Sequence, residues 1–192
     1  MRKTIILAAV AGCLAWPAVY VQAQPAPAPR TGAPMAAPGG AQQLSAQDFV
    51  NQAAVANMFE IQSSKLVLGK LKGGKRGKGG NDAVRDFAQR MIKDHTQAGK
   101  QLQATLKQAK LKITPPKKLD AAHRQLMQQL KSDKSGQVAG DYANMQLQAH
   151  QEAVALFRNY AQNGDNAQLK QFAQQTLPTL QEHLQMAQQL PK

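Results

Sequence analysis

From Ser45 onward the apolar residues recur every three or four positions, and no stretch alternates in twos. This period constrains the chain more than any other feature. Residues spaced this way line up only along one side of an α-helix, whereas a half-buried strand would need them at every second position. The expected fold class is therefore all-α. The apolar fraction of 43% is too high for a wholly disordered chain, the 14 Gly and 10 Pro follow no collagen period, and one Cys excludes a disulfide scaffold.

The first 23 residues differ in kind. Arg2 and Lys3 precede an apolar run from Thr4 to Val21, which ends in the small-residue pattern Val21-Gln22-Ala23. That order is expected of a cleaved bacterial-type signal peptide and implies a periplasmic or secreted protein with no transmembrane helix left after processing. Val10-Ala11-Gly12-Cys13 also resembles a lipobox, which would anchor the chain through Cys13. However, Cys13 comes very early and is followed by more apolar residues, so cleavage after Ala23 is the preferred reading. Residues 24–44, rich in Pro and Ala, have little to bury and read as a disordered linker, leaving 45–192 as the helical domain. If the cut is at Ala23 no cysteine remains, and thiol chemistry drops out.

Four long helices and a short one are expected. The first starts at a Ser45 cap and ends at Leu71, where KGGKRGKGG brings five glycines between 73 and 80. The second runs from about Asn81 to Lys112 before Thr114-Pro115-Pro116 stops it, and a shorter amphipathic helix covers 117–131. The third carries Ala143, Leu147, His150, Val154, Phe157 and Ala161 on one face. Asn163-Gly164-Asp165 then supplies a terminal glycine and the next N-cap. The fourth spans about Asn166 to Leu190, with Pro178 costing a backbone hydrogen bond and predicting a kink. Two helix pairs joined by a long connection predict a ferritin-like four-helix bundle with a short extra helix between helices two and three. An up-down-up-down arrangement with the short helix on its side stays open.

Four polar residues occupy apolar positions, one per long helix: Glu60, His95, His150 and His183. At about 1.5 Å per residue, either topology brings them to roughly one layer. Three imidazoles and a carboxylate can bind Cu, Zn or Fe. Met91 and Met186, at helical spacing from His95 and His183, are candidate soft neighbours. Competing with this is ordinary core packing, in which methionines fill gaps and the histidines bond to hydroxyls, amides or the nearby Asp94 and Glu182. His123 reads as a partly exposed surface residue without a partner. The Glu-x-x-His pattern of di-iron proteins is missing, because Ile92, Leu147 and Leu180 precede the three histidines by three, so iron storage and ferroxidase chemistry are not expected. No hydrolase or nucleotide motif is present, and a non-enzymatic role is favoured.

The blocks DFVNQAA, FEIQSSKL, VRDFAQRMIKDH, DYANMQLQAHQEAVALF and LPTLQEHL resemble the secreted DUF4142 family of ferritin-like helical proteins over about residues 46–190. The resemblance implies fold and export, and carries no activity. It implies departures too: a longer, more basic loop after helix one, Val138-Ala139 in place of a Phe-Asp pair before Tyr142, and Ala149 in place of an Asp before His150. The function expected is an exported helical protein acting in envelope stress tolerance and holding an interior metal. The alternative rests on the net charge of +13. In that reading Lys70, Lys72, Lys75, Arg76 and Lys78 make the chain an electrostatic adaptor for anionic envelope components or other extracellular polyanions. With few aromatics to stack bases, sequence-specific nucleic-acid binding is not expected.

Overall fold

Ser45 opens the first helix by accepting the backbone N–H of Asp48 at 3.1 Å, and α1 then runs Ala46–Leu71. The computed structural model describes residues 43–72, 81–134 and 136–192. The leader, Cys13, nearly all of the linker, and Lys75, Arg76 and Lys78 lie outside the described residues. Within them the chain forms five helices and no strands: α1, α2 (Asn81–Gln108), α3 (Ala121–Ser132), α4 (Val138–Asn163) and α5 (Ala167–Gln188). No described helix is long and apolar enough to cross a membrane.

Two boundaries differ from the sequence expectation, each for a local reason. Helix α2 stops four residues before Lys112, because Lys110 turns left-handed at φ 52°. Lys110 N–H then bonds Lys107 C=O at 3.2 Å and Leu111 N–H bonds Leu106 C=O at 3.0 Å. That is a Schellman closure with lysine where glycine usually stands. It turns Leu111 and Ile113 back onto the core. Helix α3 starts at Ala121 because Asp120 caps it, its Oδ1 accepting His123 N–H at 2.8 Å.

The cap of α5 is Asn166, whose Oδ1 accepts Leu169 N–H at 3.0 Å, and not Asp165. Asp165 is committed elsewhere: it accepts the Tyr160 hydroxyl at 2.8 Å and the Ala46 N–H at 3.1 Å, tying the α4–α5 turn to the start of α1. Gly164 is needed here for space, since a Cβ would come within 2.6 Å of the Tyr160 ring, which stacks on Phe49 at 4.0 Å. Helix α5 continues through Pro178, which sits on the exposed side.

Apolar packing falls into two clusters. One gathers Phe59, Val67 and Leu71 from α1, Val84, Phe87 and Met91 from α2, Leu130 from α3, Tyr142 from α4 and Ala187 from α5. The other gathers Phe49 and Val50, Leu102 and Leu106, Phe157 and Tyr160, and Leu169 and Phe172. Each cluster takes the C-terminal part of one helix and the N-terminal part of its neighbour, so α1 and α5 run one way and α2 and α4 the other. The connection through α3 therefore travels back along the molecule, with α3 against α1 and α4. Arg85, buried on α2, donates to the Leu71 carbonyl and closes the end of α1. Between the two clusters, all four long helices turn polar side chains inward.

Candidate metal centre

Each long helix contributes to that layer because its apolar stripe is interrupted by polar residues, about midway along α1, α2 and α4 and in the last third of α5. Helix α1 brings Asn57, Glu60, Ser63 and Ser64; α2 brings His95; α4 brings Gln146 and His150; α5 brings His183. His150 and His183 are 1% exposed, His95 6% and Glu60 3%. The structure thus brings together three of the predicted residues closely. The His95, His150 and His183 ring centroids lie 5.5–5.7 Å apart, and one ring nitrogen from each falls within 4.8 Å of the others.

The hydrogen bonds around the rings follow one pattern. His95 Nδ1 lies 3.1 Å from Asn57 Oδ1, His150 Nδ1 2.9 Å from the Gln146 carbonyl, and His183 Nε2 3.0 Å from Asp94 Oδ2. All three partners are acceptors, so the ring nitrogen facing each must carry the hydrogen. The lone pair is left on the opposite nitrogen. Those three atoms, His95 Nε2, His150 Nε2 and His183 Nδ1, are buried and have no hydrogen-bond partner among the described residues. Each such orphan costs about 1–3 kcal/mol in a folded interior. An oxygen acceptor behind each ring, with the free lone pair directed away from it, is the arrangement that orients histidine toward a metal.

Burial holds all three rings neutral. Loss of solvation is the largest cause in each case, lowering His95 well below its ordinary 6.5, His150 to about 4, and His183 against the opposing pull of Asp94. Asp94 is itself held by Arg90 at 3.2 Å, and Arg90 by Glu182 at 2.8 Å, so an ionic chain leads from His183 to the surface.

Glu60 stands to one side of the three rings. Its Oε1 is 4.0 Å from His150 Nδ1, the nitrogen already engaged by the Gln146 carbonyl, and its Oε2 has no hydrogen-bond partner among the described residues. Burial raises its carboxyl to about 8 against the lowering effect of a Gln146 hydrogen bond, so it is mostly protonated at neutral pH. Beyond it, Gln146 Nε2 reaches Ser63 Oγ at 3.3 Å, and Ser64 Oγ meets the Tyr142 hydroxyl at 2.7 Å. Met91 and Met186 pack with the apolar cluster that contains Phe87. His123 does have a partner: its Nδ1 is 2.8 Å from Asp120 Oδ1, and its ring meets Phe59 edge-on at 5.0 Å. Of the basic loop residues, Lys70 Nζ is bound to the Asp133 carbonyl at 2.6 Å and Lys72 is exposed.

Asn57 and Gly99 are participants that sequence reasoning missed. A Cβ at Gly99 would lie 3.0 Å from Asn57 Nδ2, so the absent side chain leaves room for the amide that orients His95. The available signal was a polar Asn one turn before Glu60 and a Gly one turn after His95, both within helical stripes. Ala149 offers no carboxylate beside His150, and the backbone carbonyl of Gln146 takes that role instead.

A cavity of about 290 Å³ adjoins this layer, with Glu60, His95 and His150 in its wall and the Pro115–Lys117 segment at its rim. No curated protein and no solved structure is measurably similar to the chain. The family model described as a domain of unknown function, DUF4142, matches residues 31–190, and the chain belongs to that family.

Proposed function

We propose that this protein is an exported ferritin-like four-helix bundle that holds a single transition-metal ion on His95, His150 and His183 and acts in the cell envelope without catalysing a reaction of its own. Three buried imidazoles, each with an oxygen acceptor behind it, an unpartnered nitrogen on its other side and a ring nitrogen within 4.8 Å of the other two, are the observation that carries the reading. Three nitrogen ligands with one position left over suit Zn²⁺ or Cu²⁺, whereas a non-haem iron site would be expected to draw a carboxylate into the set. Zn–N bonds of about 2.0–2.1 Å need ligand nitrogens about 3.4 Å apart. The rings therefore draw inward when the ion enters. The up-down-down-up order of the long helices and the returning connection support the ferritin-like topology, and the apolar leader supports export.

Metal analysis of protein purified without an affinity tag tests this directly. One Zn²⁺ or Cu²⁺ per chain is expected, falling to background in both His95→Ala and His183→Ala. Folded protein that takes up neither ion, yet is retained on a polyanion column in a salt-dependent manner, would support the electrostatic adaptor instead.

A further inference from the structure

Two of the three rings, His95 and His150, stand in the wall of the cavity, and the character of that cavity is specific. Its body is apolar, bounded by Leu102 from α2, Phe157 from α4 and Phe172 and Leu180 from α5. On the α1 and α2 sides the wall includes the small residues Ala53, Ala54, Ala98 and Gly99, where larger side chains would reduce the space. The volume of about 290 Å³ is near the lower end of small-molecule sites. Pro115 and Pro116 are half-buried at the rim and Lys117 is exposed, so the cavity reaches the surface beside the α2–α3 connection. Neither proline has an N–H to leave unsatisfied there.

Glu60 is the decisive residue. It lines this cavity, is 3% exposed, and keeps Oε2 without any partner. Even when protonated the carboxyl keeps a carbonyl lone pair that can accept a hydrogen bond, and no group among the described residues reaches Oε2. A tetrahedral ion bound by three histidines likewise has a fourth position unfilled by protein.

We infer that the cavity binds a small amphipathic molecule whose head gives a lone pair to the metal and an N–H or O–H to Glu60, and whose apolar body lies against Phe157 and Phe172. The inference rests on the metal reading above and extends it to a ligand. Azoles, phenols and hydroxamates of about one aromatic ring have this chemistry. A charged head without a donor does not.

Co²⁺ in the full chain provides a visible absorption spectrum that responds to the fourth ligand, and 4-phenylimidazole is the probe. The expected result is a saturable change in the Co²⁺ bands with 4-phenylimidazole. Its N-methyl analogue, which lacks the N–H, should bind about tenfold more weakly, the loss of one buried hydrogen bond. Glu60→Leu should erase that difference between the two probes. Ala98→Phe and Ala54→Phe, both at half-buried positions, should block the probe while leaving one Co²⁺ per chain. Co²⁺ bands unmoved by the probe, or full probe binding in both phenylalanine variants, would overturn the pocket and leave the metal site standing. Failure of the chain to bind Co²⁺, Zn²⁺ or Cu²⁺ would overturn both.

Discussion

Asn57 has a small side chain and a large assigned role, because it alone sets the tautomer of His95. Its Oδ1 accepts from Nδ1, and Gly99 gives it the space to do so. Removing the acceptor with Asn57→Ala should lower metal affinity about 10- to 100-fold, as loss of such supporting bonds usually does, with little change in helix content. Gly99→Ala should act in the same direction, since the amide must give way by a few tenths of an ångström. Isothermal titration with Zn²⁺ measures both. Glu60 makes the opposite prediction for stability. Its buried, half-satisfied carboxyl penalises the metal-free fold, so Glu60→Leu should stabilise that form by about 1 kcal/mol in urea unfolding. A loss of stability on that substitution would mean that the carboxyl has a donor in the fold.

The helix termini show how much local chemistry is independent of the site. Ser45, Asp120 and Asn166 each cap a helix with a side-chain oxygen, while α4 begins at Gln137 with no side-chain cap. Lys110 ends α2 in a conformation that costs an L-residue about 1 kcal/mol. Lys110→Gly should therefore raise stability by about 0.5–1 kcal/mol, the relief of strain exceeding the added freedom of the unfolded chain. A change of opposite sign would show that the lysine side chain contributes more than its backbone strain removes. Thermal unfolding monitored by circular dichroism gives the answer. Helices α4 and α5 pack together more extensively than any other pair, and Asp165 joins their turn to α1, so this corner is expected to be the last to open.

For the molecule as a whole, the polar layer makes stability depend on pH in both directions when no metal is bound. The histidines have folded values below 6.5, so the unfolded chain binds protons that the folded one excludes. Stability then falls as pH drops from about 6.5 toward about 4. Glu60 is raised from 4.5 to about 8, so the folded chain holds a proton the unfolded one has lost, and stability falls as pH rises through that window. From 4.5 to 6.5 the two trends oppose, and three rings outweigh one carboxyl. The layer's contribution should therefore peak near pH 6.5. Urea midpoints across pH 4–9 test this: Glu60→Gln should flatten the limb above 6.5, and His150→Ala should make the acid limb shallower. A wild-type profile that is flat from pH 4.5 to 8 would contradict the neutral-ring, protonated-carboxyl layer.

Much of this was legible before any coordinates. The three- and four-residue spacing specifies helices because it is a property of neighbouring residues along one chain. The Ser45 cap is local for the same reason, as is the glycine run that follows Leu71. Placing Glu60, His95, His150 and His183 in one layer needed only helix rise and the position of each loop. Which ring nitrogen is free could not be read, because it depends on an amide from α1, a carbonyl from α4 and a carboxylate from α2 arriving at three rings at once. The same is true of Glu60, which periodicity set among the candidate ligands and packing set with its Oε1 4.0 Å from His150 Nδ1. Side-chain periodicity is inherited from the backbone of one segment, whereas hydrogen-bond partners and cavities exist only where several segments meet.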